Sequence, residues 1–158
     1  MKKKINDNEN IVFISSTGGH WSQILELRKE MKELKNCYFI TEYNETSKNH
    51  KDTFFLTQQD RKSKSFLIDI FKNSIKSIIY YKKLKPSIVI STGAGVVIPF
   101  LLISKMRGCK IIFIESFAKV NTPTITGKIV YKFADSFFVQ WEDLLKYYKN
   151  AKYEGKVY

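Results

Sequence analysis

The chain has 158 residues, a length that suits one domain and crowds two. With 44% hydrophobic and 27% charged residues it is no disordered chain, and its net charge of +12 calls for an anionic partner: nucleic acid, an anionic membrane surface or a phosphorylated substrate. Its two cysteines, Cys37 and Cys109, form no Cys-x-x-Cys pair, and with only two histidines besides they read as free thiols rather than as a zinc site.

Residues 1–10 form a polar tail without the apolar core of a signal peptide, so the chain is expected to stay in the cytoplasm. No run of about 18 apolar residues lacks a charge, and no spanning helix is expected. Residues 11–158 then read as one α/β domain. Ile11–Ile14 is a short apolar strand, followed by the loop Ser15-Ser-Thr-Gly-Gly-His20 and by apolar residues at helical spacing from Trp21 to Leu34. Cys37–Thr41 and Thr53–Leu56 are the next strands, separated by a polar loop from Glu42 to Lys51. Ser65 is a candidate N-cap for a long helix over Phe66–Leu84, which Pro86 stops.

Ile88–Ile90 is a buried strand, and a second small-residue loop, Ser91-Thr-Gly-Ala-Gly95, leads into an apolar helix over Val96–Met106 that tolerates Pro99 in its first turn. Gly108 marks its end. Lys110–Ile114 is a strand closing on Glu115-Ser116, Thr124–Phe133 a helix, Ser136–Gln140 a strand, Glu142–Tyr148 a last helix, and Lys152–Tyr158 a tail. Alternating short strands and helices predict a Rossmann-like parallel sheet with helices on both faces. Ligands of such sheets bind at the carboxyl ends of the strands, where the three loops lie.

Thr17, Gly18 and Gly19 open a helix, so free amides and a closely approaching backbone favour a phosphate. His20 beside them could take a proton from an attacking hydroxyl. Thr92, Gly93 and Gly95 form a second cradle, and Glu115 with Ser116 puts a carboxylate at the same sheet edge. The plain structural alternatives are tight turns, a capping histidine and a loop-bracing acid. Gly-x-Gly-x-x-Gly is incomplete in both glycine loops and no P-loop is present. Glu42 stands where a ribose-binding acid would, or is a solvated loop carboxylate.

Arg61, Lys62, Lys64, Lys72, Lys76, Lys82, Lys83 and Lys85 interleave with Phe66, Leu67, Ile70, Phe71, Ile78 and Ile79. A basic amphipathic helix of this kind lies in the interface of an anionic membrane; the alternative is an ordinary surface helix with a solvated lysine face. No nucleic-acid-binding motif accompanies the charge, and none is expected to be bound.

The three loops in order, Ser-Ser-Thr-Gly-Gly-His20, Ser-Thr-Gly-Ala-Gly95 and Ile-Glu-Ser116, resemble the acceptor-side subunits of two-component glycosyltransferases. These are the bacterial PssD and CpsF type and the eukaryotic Alg-type membrane-anchor subunit; they are similar to the N-terminal half of the GT-B enzyme MurG. The resemblance implies a half-enzyme on the cytoplasmic face of the plasma membrane that binds a polyprenyl-diphosphate-linked saccharide. A separate PssE-like subunit would bind the UDP-sugar, and the pair would work in capsule or exopolysaccharide synthesis. The chain would then stop where a linker to a second domain begins. Gly18, Gly19, Gly93 and Gly95 would lie against the acceptor diphosphate, His20 would be the loop histidine, and Glu115 would lie near the acceptor sugar. No metal or other cofactor is expected. Two other readings stay open: a self-contained nucleotide-binding Rossmann enzyme, and a basic membrane-binding adaptor.

Overall fold

A computed structural model describes residues 9–60 and 62–157. Seven strands form one sheet in the order β3-β2-β1-β4-β5-β6-β7, with β1 at Ile11–Ser15, β2 at Cys37–Glu42, β3 at Thr53–Leu56, β4 at Ile88–Gly93, β5 at Lys110–Ile114, β6 at Ser136–Val139 and β7 at Lys152–Tyr153. Every neighbouring pair is parallel. The chain winds outward from β1 through β2 to β3, then crosses to the other side of β1 to lay down β4. The switch point therefore falls between β1 and β4.

The central strands are β-branched and apolar on both sides because both faces are covered. Helix α1 (Gly19–Glu30) lies on one face, where Trp21 and Ile24 join Phe13, Phe39 and Ile90 in one apolar cluster. Helices α2 (Phe66–Leu84), α3 (Ile98–Met106) and α4 (Ile125–Val130) supply Leu84, Phe100, Leu101 and Val130 to the cluster on the other. Parallel strands joined by helices start each helix at the carboxyl edge of the sheet, so all the glycine loops and helix N-termini share that edge.

Several boundaries depart from those read in the sequence. Helix α1 stops at Glu30 rather than Leu34, and the Arg28 guanidinium ties down the next turn by donating to the carbonyls of Met31 at 2.6 Å and Leu34 at 3.1 Å. Ser65 does not cap α2: its backbone is already helical and its hydroxyl donates to Asp69 Oδ2 at 2.9 Å. Thr124 precedes α4 as its N-cap, accepting from the Gly127 N–H.

The segment 142–148 forms only a 3-10 turn at Glu142–Leu144. Its two aromatic ends are committed elsewhere: Trp141 Nε1 donates to the Phe117 carbonyl and Tyr148 to the Glu115 carboxylate. The tail, to which no element was assigned from the sequence, supplies β7, a two-residue strand paired with Phe138 and Val139. A short, lysine-bearing strand at a sheet edge resists edge-to-edge pairing with another chain. Both thiols are free, Cys109 buried and Cys37 half-buried.

Candidate functional site

The switch point is where the loops after β1 and β4 meet, and the sequence supplies both with glycine. Gly18 has φ +70, which an L-side chain rarely adopts, and its carbonyl accepts the first helical bond of α1 from Ser22. A Cβ added at Gly18 or Gly19 would meet nothing within 4 Å, and both residues are exposed. This edge of the loop is therefore open, with the N-terminus of a twelve-residue helix behind it.

The two glycine loops are tied together. Ser16 N–H donates to the Gly93 carbonyl at 2.9 Å, and the buried Thr92 hydroxyl donates to the His20 carbonyl at 3.0 Å. Gly93 has φ +100, and a Cβ there would lie 3.2 Å from His20 Cε1. The backbone at 93 favours glycine, and any larger residue would also press on the imidazole seated against it. Gly95 opens the short 3-10 turn that leads into α3.

His20 is half-buried, and its Nδ1 is enclosed with no hydrogen-bond partner. Burial pushes its pKa below the ordinary imidazole value, while contact with the Thr92 backbone and the charges of Glu115 and Glu42 pull the other way. The lowered value leaves the ring largely neutral at pH 7, the form a general base must have.

Of the two readings of Glu115, a base near the acceptor sugar and a loop-bracing acid, its surroundings match the second. It is 1% exposed, and its carboxylate accepts from Ser116 N–H at 2.8 Å, the Thr124 hydroxyl at 2.8 Å, Thr124 N–H at 3.2 Å and the Tyr148 hydroxyl at 2.6 Å. Burial, together with that carboxylate, raises the Tyr148 pKa far above the ordinary phenol value. A Cβ at Gly127 would overlap Glu115 Oε2. With four donors filling its lone pairs, Glu115 is a brace that pins the loop after β5 to the start of α4. Ser116 belongs to the same brace and is buried.

Glu42 was read as a ribose ligand or a solvated carboxylate, and it is neither placed like a free ligand nor solvated. It is 5% exposed and accepts from Gln59 N–H at 2.8 Å and Thr17 N–H at 3.3 Å. It thus joins the first glycine loop to the loop that enters α2. Its place at the carboxyl end of the parallel strand β2 was the available signal. Thr17 is half-buried against it.

The basic residues are less uniform than their sequence suggests. Lys62, Lys64, Lys72 and Lys82 are exposed, whereas Lys76 folds back to donate to the Phe55 carbonyl and the Thr57 hydroxyl, each at 3.1 Å. Lys83 lies 4.8 Å above the centre of the Phe54 ring. Lys76 is thereby withdrawn from the predicted membrane-contact set; Arg61 lies outside the described residues.

Helix α2 turns its apolar stripe outward. Leu67 is 76% exposed and Phe71 67%, with Ile68, Ile75, Ile78 and Ile79 beside them, while Asp69, Asn73 and Ser77 are buried against the sheet. Leu102 and Met106 of α3 and Ile125 of α4 extend the exposed apolar surface. No helix among the described residues is long and apolar enough to cross a membrane, and these residues hold no cluster of His, Cys, Asp and Glu suited to a metal ion. A groove of about 530 Å³ lies on the α1 face between Met31, Phe138 and Val157, and no glycine-loop residue lines it.

Known proteins bear on this arrangement. The chain is 37% identical over 98 residues to the UDP-N-acetylglucosamine transferase subunit ALG14 of Kluyveromyces lactis, covering 54% of this chain and 42% of the relative. It is 24% identical to the human subunit of the same name, covering 94% of this chain and 82% of that one. The chain thus spans less than half the length of the yeast relative.

Among solved structures, Acinetobacter baumannii MurG superposes with a TM-score of 0.68 at 18% identity, covering 85% of this chain and 42% of MurG. A UDP-N-acetylglucosamine 2-epimerase from Rickettsia bellii gives 0.73 at 13% identity, covering 94% of this chain and 45% of the epimerase. These likenesses show the Rossmann-like fold. The family model described as oligosaccharide biosynthesis protein Alg14 like matches residues 10–157, nearly the whole of the chain, which therefore belongs to that family.

Proposed function

We propose that this chain is the acceptor-binding subunit of a two-component glycosyltransferase and works with a donor-binding partner. The observation that carries the reading is the junction of the two glycine loops at the switch point. Gly18 and Gly19 face open space there, and a neutral imidazole is packed on Gly93. Amides at the start of α1 suit a diphosphate, and His20 stands one residue beyond them. The names of the relatives, UDP-N-acetylglucosamine transferase subunits, support N-acetylglucosamine as the sugar moved.

In this reading the partner binds UDP-N-acetylglucosamine and presents its anomeric carbon to a hydroxyl of the lipid-linked acceptor. The hydroxyl oxygen attacks that carbon, its proton passes to His20, and UDP leaves with the electrons of the broken C–O bond. Holding both substrates between two subunits supplies proximity and orientation. Glu42 and Glu115 position the loops without touching the reacting atoms. The acceptor is a saccharide on a polyprenyl diphosphate. A setting in capsule or exopolysaccharide synthesis with a PssE-like partner rests on the loop resemblance; the named relatives point to oligosaccharide assembly.

The outward apolar stripe of α2, flanked by Lys72 and ending at Lys82, supports peripheral membrane binding, with the rings and aliphatic chains in the acyl boundary and the lysines at the headgroups. The cytoplasmic face of the membrane is where such a helix would meet anionic lipid.

The test is to co-purify the tagged chain with its partner from detergent-solubilised cells and to measure transfer from UDP-N-acetylglucosamine to a polyprenyl-diphosphate saccharide. The complex transfers, the chain alone does not, and a His20→Gln complex falls by about a hundredfold or more at unchanged assembly. Full transfer by the isolated chain, or by the His20→Gln complex, would refute the assignment.

A further inference from the structure

A second cavity of about 410 Å³ opens at the carboxyl edge of the sheet, among the first turns of three helices. Phe66 and Ile70 of α2, Ile98 and Pro99 of α3, and Ile125 of α4 form its walls. No charged side chain lines it. Gly95, part of the second glycine loop, and Gln59, whose N–H donates to Glu42, also line it. Ile125 in its wall is 65% exposed, and Leu67 (76%) and Leu102 (41%) of the neighbouring helices are exposed as well. The groove therefore brings a residue of the second glycine loop and an exposed apolar side chain of α4 to one cavity.

We infer that this groove holds the first isoprene units of the acceptor's lipid chain, between the diphosphate on the glycine loops and the bilayer under α2. The inference rests on the acceptor reading proposed above and specifies how that substrate is seated. A diphosphate ester joins a highly charged group directly to a hydrocarbon chain. A protein that binds the charge at the switch point gains from an apolar surface beside it, because hydrocarbon crossing water before the bilayer forfeits the gain of burial. The groove is lined mainly by apolar side chains, and its lining includes both Gly95 of the second glycine loop and the exposed Ile125. Seating the proximal isoprenes inside the protein also fixes the distance between the membrane plane and the reacting hydroxyl. A chain anchored only in lipid would leave that distance free.

The test uses soluble probes and the isolated chain, with affinities measured by calorimetry below any micellar concentration. The probes are inorganic pyrophosphate, dimethylallyl diphosphate, farnesyl diphosphate and a phosphate-free farnesol control. Affinity is expected to rise at least tenfold from pyrophosphate to farnesyl diphosphate, with farnesol binding more weakly than the diphosphate ester. Ile125→Asp, at an exposed position that leaves the fold intact, should remove that gain and leave pyrophosphate affinity unchanged. Ile79→Asp, on the exposed stripe of α2 and outside the groove, should leave both unchanged. Equal affinity for pyrophosphate and farnesyl diphosphate would overturn the groove while leaving the diphosphate site standing. A gain that Ile79→Asp abolishes and Ile125→Asp spares would also overturn it. Failure of every diphosphate to bind would instead remove the acceptor reading itself and the groove with it. The chain-length series on the unaltered protein decides the matter even should a variant misfold.

Discussion

Helices α1 and α2 carry the same kind of sequence pattern and use it in opposite senses. In α1 the periodic apolar residues Trp21 and Ile24 are 3% and 0% exposed, packed on Phe13 and Phe39. In α2 the periodic apolar residues Leu67, Phe71 and Ile79 face solvent, and the arc turned to the sheet is polar: Asp69, Asn73 and Ser77. That arc is accepted because β3 is short and the chain leaving it needs partners. Asn73 supplies them, accepting from Thr57 N–H at 2.7 Å and donating to the Thr57 carbonyl at 2.8 Å, which continues the strand's hydrogen bonding beyond its end. A helical period identifies a stripe; the opposite arc decides which way the stripe points.

The comparison breaks most sharply in stability. Trp21→Ala empties a packed site and should cost about 3–5 kcal/mol in denaturant unfolding. Asn73→Ala, on the buried arc of α2, strands two backbone groups of Thr57 and should cost about 1–3 kcal/mol. Phe71→Ala removes an aromatic ring from the exposed stripe and should change stability by no more than about 0.5 kcal/mol. A loss at Phe71 comparable to that at Trp21 would mean that the stripe is covered within the folded chain.

Membrane binding should reverse that ranking. Leu67→Asp combined with Phe71→Asp should lower sedimentation with phosphatidylglycerol vesicles by about tenfold or more while leaving the unfolding midpoint in place. Raising salt should weaken the unaltered protein's binding through its exposed lysines, Lys62, Lys64, Lys72 and Lys82. Unchanged sedimentation of the double variant would leave the stripe to a protein partner.

Much of this fold is legible from local pattern. The runs at Ile11, Cys37, Thr53, Ile88, Lys110 and Ser136 are strands, and α2 occupies Phe66–Leu84 as its spacing and Pro86 predict. What escaped depends on contacts between distant segments. Strand β7 has the composition Lys-Tyr and exists only because β6 offers an edge. The end at Glu142–Tyr148 is shaped by Tyr148 reaching the carboxylate of Glu115, far back in sequence. The glycine loops were visible because glycine marks backbone geometry that other residues avoid. The roles of Glu42 and Glu115 were hidden because a buried brace and an exposed base share one side chain, and only the donors around the carboxylate tell them apart.

The smallest effect concerns pH and belongs to the α1 side alone. Burial lowers the His20 pKa in the folded chain below that of the unfolded chain. Between those two values the unfolded state binds more protons, so stability rises with pH. The His20 contribution is fully present above about pH 6.5 and declines as pH falls toward the folded value. His20→Gln should flatten that part of the stability profile between pH 8 and pH 5, with the midpoint at pH 8 nearly unmoved. In the co-purified complex, the acid limb of transfer should lie below pH 6.5, since protonation removes the neutral base. Changes on the α2 stripe, such as Ile79→Asp, should move neither profile. A limb well above pH 6.5 would show that another group gives up its proton there, and the burial of the His20 ring would then serve packing against Gly93 rather than proton transfer.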